Sequence, residues 1–255
     1  QHINKAIPKV YETYTNMQDN RLHIIMPVKD SIEMTERAIR TIVQSGHTLC
    51  IYDDNSQAEN AERLDAIAEE LNCQIIHIAD LTDHPSPNYR LVLQHSQQLA
   101  LAENKHLVIV ESDVMIQPHT LNRMLNEVQQ GVGMVAAVTT DENCIYNFPY
   151  HYLRHLPYRF MSKRTIASKK RFSFCCTLLT NELLQKADFQ LLDPTKNWYD
   201  VTISHWSVRL GLRNLLMLDN SVLHFPHASR PWKRLKYTHP LRYYWRKFTQ
   251  KLDKI

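Results

Sequence analysis

Glycine is scarce, with four residues in 255. Neither G-x-G-x-x-G nor G-x-x-x-x-G-K-[ST] occurs, so no glycine-rich loop can cradle a phosphate ligand, and metal or basic side chains would have to hold one. Cysteine offers no framework either: Cys50, Cys73, Cys144, Cys175 and Cys176 are odd in number and form no C-x-x-C pair. That pattern indicates neither a disulfide set nor a zinc site, and it predicts reduced, mostly buried thiols. Long apolar runs are missing, since none approaches the roughly 20 residues of a membrane span, and the first residues lack a basic-then-apolar leader. The expectation is a cytoplasmic chain. Excess charge is small, a formal +4, too modest for a protein dedicated to nucleic acid, so no nucleic acid is expected as a partner. What is present is ordinary for a globular protein, 44% hydrophobic and 22% charged, enough for one full core.

The apolar residues concentrate in strand-length runs, and the most informative of these is 107–110, Leu-Val-Ile-Val, which leads straight into Glu111, Ser112 and Asp113. A buried strand of this kind delivers two carboxylates to its carboxyl end, the edge at which open α/β sheets bind ligands. Residues i and i+2 of an extended chain lean the same way, so Glu111 and Asp113 can share one hard divalent cation whose remaining shell accepts substrate phosphates. An acidic turn after a strand satisfies the same pattern.

Strand, turn and helix alternate before and after that run. Residues 22–26 read as a strand closed by Pro27-Val28. Asp30 followed by Glu33 offers an N-cap for a helix that runs to Gly46. A second strand over 48–52 ends in Asp53-Asp54-Asn55-Ser56. Then come a helix over 61–71, a strand over 74–78, the Pro85/Pro87 loop, a helix over 89–103, the 107–110 strand, a helix from Pro118 to about 129 and a strand over 133–139. Such alternation predicts an α/β protein with a mostly parallel central sheet flanked by helices. From 141 to 171 the chain is aromatic, basic and weakly periodic, as in a long loop or lid. Beyond it, strands over 172–179, 214–218 and 222–225 and helices over 181–187 and 201–210 are expected. The segment 230–255 interleaves Arg and Lys with Trp, Tyr and Phe. It suits an anionic membrane surface, single-stranded nucleic acid or a packed terminal helix, and the small net charge ranks nucleic acid last.

Taken in order, Pro27-Val28, Asp53-Asp54-Asn55-Ser56, Glu111-Ser112-Asp113 with Pro118, Tyr199-Asp200 with Arg209-Leu210-Gly211, and His224 after a late strand resemble family 2 glycosyltransferases. The likeness runs from about 22 to 224. It implies the GT-A (nucleotide-diphospho-sugar transferase) Rossmann-like fold in a single catalytic domain over 1–229. Residues 22–138 would form the donor half and 139–229 the acceptor half, with 230–255 a basic aromatic tail. The implied activity is transfer of a sugar from a nucleotide-diphosphate donor to a glycan or lipid-linked acceptor hydroxyl, with inversion and with Mn²⁺ or Mg²⁺, in cell-surface polysaccharide synthesis. On this resemblance Pro27, Val28, Asp54, Arg90, Glu111 and Ser112 would contact the donor, and Asp113, Glu111 and His224 the metal.

Asp200 would be the general base, taking the acceptor's proton as its hydroxyl attacks the anomeric carbon. Each residue has a plainer reading beside this: an Asx-turn for Asp54, a helix cap for Asp200, a solvated helix arginine for Arg90 and a buried histidine for His224. Trp198 and Tyr199 would offer an apolar sugar platform or plain core. The chain departs from the family at Lys29-Asp30, at Gln94-His95-Ser96 where Ala-Arg-Asn is common, and at Tyr199 in place of an acid. An inactive binding or scaffold module and a sugar nucleotidyltransferase are the rival readings. A peripheral position on the inner membrane face would follow if the tail binds lipid.

Overall fold

A computed structural model of the chain describes residues 20–147, 164–196, 198–225, 235 and 239–249. Its first half alternates β1 (Leu22–Val28), α1 (Ile32–Gln44), β2 (Cys50–Asp53), α2 (Ala58–Glu70), β3 (Gln74–His77), α3 (Tyr89–Ala102) and β4 (His106–Val110). Next come β5 (Val114–Met115), α4 (Thr120–Asn126), β6 (Val132–Thr140), β7 (Thr165–Ala167), β8 (Cys176–Leu179), α5 (Asn181–Lys186), α6 (Tyr199–Arg209), β9 (Arg213–His224) and α7 (Pro240–Thr249). The strands form one sheet in the order β3-β2-β1-β4-β8-β6-β9-β5, with β7 on β9. Pairs β2–β3, β1–β2, β1–β4 and β6–β9 are parallel, and β8, β5 and β7 enter antiparallel. The expected parallel alternation thus holds through β4 and then becomes mixed.

The residues of β4 show why this order is stable. Val108 and Val110 join one apolar cluster with Ile39 and Ile42 of α1 and Leu64 of α2, while Leu107 and Ile109 join another with Leu93 of α3 and Leu183 of α5. Both faces are covered by helices, which is why the strand is uniformly apolar instead of alternating. Helix α1 buries Ile32, Thr35, Ala38, Ile39 and Ile42, the stripe expected of a helix lying on a sheet.

Several sequence expectations shift in detail. Pro27 lies inside β1, opposite Tyr52 of β2, and the pairing with β4 stops at Ile25, so the amide that proline lacks has no partner to lose. Asp30 does not cap α1. It and Ser31 take positive φ (55° and 58°), and Asp30 Oδ1 instead accepts from Gln57 N at 3.0 Å and Asn60 Nδ2 at 2.9 Å, binding the start of α2. The two strands expected over 214–218 and 222–225 are one, β9. Its register on β6 jumps from Ala137↔Met217 to Val138↔Ser221, and the extra residues form a bulge in which Asp219 pairs with Arg123 at 2.7 Å and buried Asn220 donates to Thr120 O. The 172–179 strand begins only at Cys176, since Ser173 Oγ accepts from Cys175 N and its carbonyl accepts from Thr177 Oγ1, which turns the chain before it can extend. Of the loop or lid expected over 141–171, residues 148–163 lie outside the described residues, whereas Thr165–Ala167 form β7, antiparallel to β9; His227 and most of the 230–255 tail also lie outside them.

Packing between α6, β6 and β9 turns on one glycine. A Cβ on Gly133 would collide with Ser207 Oγ and stand 3.0 Å from Leu212 Cβ. Ser207 is buried and hydrogen-bonded to Asn214 Oδ1, so it has no room to retreat. Gly133→Ala should therefore cost about 1–3 kcal/mol, read as a lower midpoint in chemical denaturation. An unchanged midpoint would show that this seam is loosely packed.

Candidate functional site

With β1 central and its parallel partners β2 and β4 on either side, the order in which strands are added across the sheet reverses between β1 and β4, and the crevice outside their carboxyl ends is where such sheets take ligands. Three strand ends meet there: Val28, the Asp53-Asp54 turn and Glu111.

The turn after β2 is held from both sides. Asp53 Oδ1 accepts from Ser56 N at 3.1 Å, and its Oδ2 meets His77 Nδ1 at 3.0 Å, whose Nε2 meets Asp65 at 2.9 Å. Asp54 N donates to Val28 O at 2.8 Å, and Lys29 Nζ reaches the carbonyls of Asp54 and Asn55. The buried Asp54 carboxylate accepts from Ser86 Oγ, Asn88 N and Asn88 Nδ2, each at 2.8 Å. Its visible work is to fix the 84–88 loop. That loop rims a cavity of about 630 Å³, lined also by Tyr89, Arg90, Lys196 and Tyr199. Volume of this order suits a nucleotide-sized ligand. Arg90, expected to meet the donor, donates to Leu192 O at 3.2 Å across the cavity wall. Pro27 is half-buried and Val28 buried at the β1 end. Gln94 and Gln97 of α3 bind carbonyls of the 184–189 segment, and His95 meets Tyr52 Oη at 2.9 Å. The departure at Gln94-His95-Ser96 thus has a structural use.

The carboxylates converge through sheet pairing. Register in the β5–β9 pair sets Val114 opposite His224, and Phe225 N donates to Asp113 O at 2.9 Å. Asp113 Oδ1 therefore lies 3.7 Å from His224 Nε2, with about 21% of the Asp113 side chain exposed and His224 buried. Glu111 N donates to Cys175 O at 3.0 Å, and Cys175 Sγ stands 3.2 Å from Glu111 Oε2. Glu111, Ser112 and Asp113 all keep partial exposure at the crevice floor. Burial first, and then the charge of Asp113, raises the Glu111 carboxyl well above the ordinary range, and burial likewise raises Asp113. Two desolvated acids side by side resist carrying charge together unless a cation joins them. The Asp113 oxygen and the His224 ring nitrogen, 3.7 Å apart, stand at a separation that fits two donors of one divalent ion, and a Glu111 oxygen lies within 4.8 Å of a His224 ring nitrogen.

Asp200 lies in the first turn of α6, whose N-cap is Trp198, so it is not the cap of that helix. Its carbonyl accepts from Ser204 Oγ, which in turn accepts from Phe172 N, tying α6 to the segment before β8. Its charge reaches Glu111 and the phenol of Tyr89. Tyr199 is buried against Tyr89, ring centroids 6.4 Å apart, whereas Trp198 is exposed. Two residues near the carboxylates escape sequence reasoning: Cys175, which only the β4–β8 pairing brings to Glu111, and Tyr89, whose buried hydroxyl has no hydrogen-bond partner among the described residues.

Against known proteins, residues 23–186 match the family described as Glycosyl transferase family 2. No curated protein matches. Among solved structures, the fold is similar to that of mannosyltransferase PcManGT from Pyrobaculum calidifontis in complex with GDP-Man and Mn²⁺, with a TM-score of 0.57 and 16% identity over 89% of this chain and 64% of that one. It is similar also to S. aureus TarS 1-349 (0.55, 13%, over 85% of this chain and 64% of that one) and to GalNAc-T7 with UDP, GalNAc and Mn²⁺ (0.56, 10%, over 80% and 43%). At these identities the likeness is one of fold, a GT-A-like α/β fold with a mixed sheet. The chain spans about 64% of the first two of these proteins.

His77 gives the site's scaffold a pH signature. Burial pulls its imidazole down, but the hydrogen bonds and charges of Asp53 and Asp65 outweigh that and hold it above the ordinary 6.5. A raised folded-state value stabilises the fold fully below 6.5, and that contribution is lost as pH rises through the folded value. His77→Gln should accordingly lose less stability than the parent between mildly acidic and mildly alkaline pH. Parallel stability curves would contradict the linkage.

Proposed function

Because the chain belongs to glycosyl transferase family 2, we propose that it transfers a sugar from a nucleotide-diphosphate donor to an acceptor hydroxyl, in the crevice outside β1, β2 and β4, with inversion and with a divalent ion. The observation that carries this reading is the approach of two carboxylates to one imidazole, His224 lying 3.7 Å from Asp113 Oδ1 and within 4.8 Å of a Glu111 oxygen, while Tyr89, which lines the cavity of about 630 Å³, is within electrostatic reach of Glu111. A bound Mn²⁺ or Mg²⁺ would supply positive charge to the departing diphosphate. The ion would be held by Asp113 and Glu111, with His224 completing the set. Ser112, between the two acids, and Val28 and Pro27, at the end of β1, would border the donor. Asp54 contributes through the loop it fixes, and Arg90 closes the cavity wall. Asp200 is the general base of this scheme: it accepts the acceptor hydroxyl's proton while that oxygen attacks the anomeric carbon from the face opposite the leaving group. The half-buried position of Asp200, among other acids, supports that role. The mannosyltransferase and GalNAc-T7 structures, solved with nucleotide or nucleotide sugar and Mn²⁺, support both donor class and ion.

The acceptor is proposed to be a glycan or a lipid-linked sugar, as in cell-surface polysaccharide synthesis. Support comes from α7, where Leu241, Tyr244, Trp245 and Phe248 recur at i, i+3, i+4 and i+7 and are 88%, 58%, 70% and 84% exposed, with Arg242 and Arg246 between them. Amphipathic aromatic and basic helices of this kind lie in the headgroup region of anionic bilayers. Among the described residues no helix is long and apolar enough to cross a membrane. The chain would then work at the cytoplasmic face as a peripheral protein. Flotation with anionic vesicles should carry the parent chain, and Trp245→Glu with Phe248→Glu should leave it at the bottom. Equal flotation of both would remove the membrane from the account.

For the reaction, thermal shifts against a panel of nucleoside diphosphates should show stabilisation by one of them that depends on Mn²⁺. Asp113→Asn should abolish the ion dependence. Asp200→Asn should still bind the diphosphate and lose on the order of 10²–10⁴ in turnover. Full turnover in Asp200→Asn would remove the base assignment, and stabilisation indifferent to the ion would remove the metal. Since the raised carboxyls must shed protons to take an ion, Mn²⁺ affinity should rise with pH, with proton release visible in calorimetry across buffers of different ionisation enthalpy.

A further inference from the structure

Cys175 adds a donor to the ion site proposed for sugar transfer, and its role as a ligand rests on that reading of the crevice. An oxygen of Glu111, Cys175 Sγ and a ring nitrogen of His224 all lie within 4.8 Å of one another, and Sγ is 3.2 Å from Glu111 Oε2. With bonds of about 2.0–2.3 Å, donors around a tetrahedral ion stand about 3.2–3.8 Å apart, so small side-chain rotations close the trio. The thiol is not placed by chance packing. Cys175 O accepts from Glu111 N, Ser173 Oγ lies 3.0 Å from Sγ, and Cys176 directs its own sulfur away, to Met124 Sδ at 3.8 Å. A second, independent feature lies close by: the hydroxyl of Tyr89, buried and without a hydrogen-bond partner among the described residues, is within electrostatic reach of Glu111, Asp200 and Cys175. A buried phenol left unsatisfied is costly unless a ligand completes it.

We propose that Cys175 is a metal ligand, and that the site therefore takes a borderline divalent ion with affinity for sulfur, Zn²⁺, Co²⁺ or Fe²⁺, in preference to Mg²⁺. Thiolate and imidazole select such ions, whereas Mg²⁺ keeps to oxygen and water. The S–H proton that now bridges Sγ and Glu111 Oε2 leaves to solvent, and the sulfur and the carboxylate oxygen both turn to the ion that replaces it. No C-x-x-C spacing is involved, because Glu111, Cys175 and His224 come from three separate stretches of chain, joined by the β4–β8 and β5–β9 pairings.

Co²⁺ titration of the metal-stripped chain, followed by absorption, tests this. A sulfur-to-cobalt charge-transfer band should grow to one equivalent, vanish on adding Zn²⁺ and persist in a large excess of Mg²⁺. Cys175→Ser should abolish the band, and Cys176→Ser should keep it. Should Cys175→Ser fail to fold, His224→Gln provides the second variant, with Co²⁺ affinity lowered by at least about tenfold. Co²⁺ binding without the band, or a band that survives Cys175→Ser, overturns the thiol as ligand. If Mn²⁺ still promotes nucleoside diphosphate binding in that event, the transferase reading stands without it; if no divalent ion binds at all, both fall.

Discussion

Two acidic side chains held close together in a poorly solvated crevice are the constraint on which the rest of the structure depends. Neither Glu111 nor Asp113 gains stability for the fold by being there: burial disfavours the charge of each, and the charge of Asp113 further disfavours that of Glu111. A fold tolerates such an arrangement when something else fixes it, and here the fixing elements are strands. β4 delivers Glu111, the short β5 turns Asp113 toward β9, and β8 brings a thiol to the Glu111 carboxylate. A cation joining these groups would convert an unfavourable cluster into a favourable one, which is the physical basis for reading it as a site of function.

The neighbouring cavity is organised by the same economy of strand ends. Asp54 accepts three hydrogen bonds from one loop, and that loop forms the rim beside Tyr89 and Arg90. In a chain with four glycines, the left-handed turns at this edge fall to Asp30, Ser31 and Asn55, small polar residues, of which Asp30 is held by Gln57 N and Asn60 Nδ2 and Asn55 by the His84 carbonyl. The glycine-poor composition and the absence of a phosphate loop are thus matched by a site built from carboxylates, an imidazole and a phenol.

How much of this was legible in the sequence depends on which contacts are local. Strand β4 is readable because both of its faces are buried, so the run 107–110 is apolar throughout, and the two acids after it mark its end. Helix α1 is readable from its stripe. By contrast, β9 reads as two strands because Asp219-Asn220 resembles a turn, although it is a bulge whose residues bind Arg123 and Thr120. Asp30 looks like a cap for the helix that comes after it and in fact ties down α2, nearly thirty residues on. Cys175 sits 64 residues from Glu111, and only antiparallel pairing reveals that they touch. His224 could be flagged from its place after a late strand, but its approach to Asp113 needed the β5–β9 register.

The central claim, that Asp113, Glu111 and His224 form one cation site at the donor crevice, is tested most directly by anomalous scattering from crystals grown with Mn²⁺ and a nucleoside diphosphate. The account predicts a single strong peak within bonding distance of an Asp113 carboxylate oxygen, with His224 Nε2 or Glu111 beside it and diphosphate oxygens on its open side. A diphosphate bound in the crevice with no peak at Asp113, or a peak elsewhere on the surface, would contradict it.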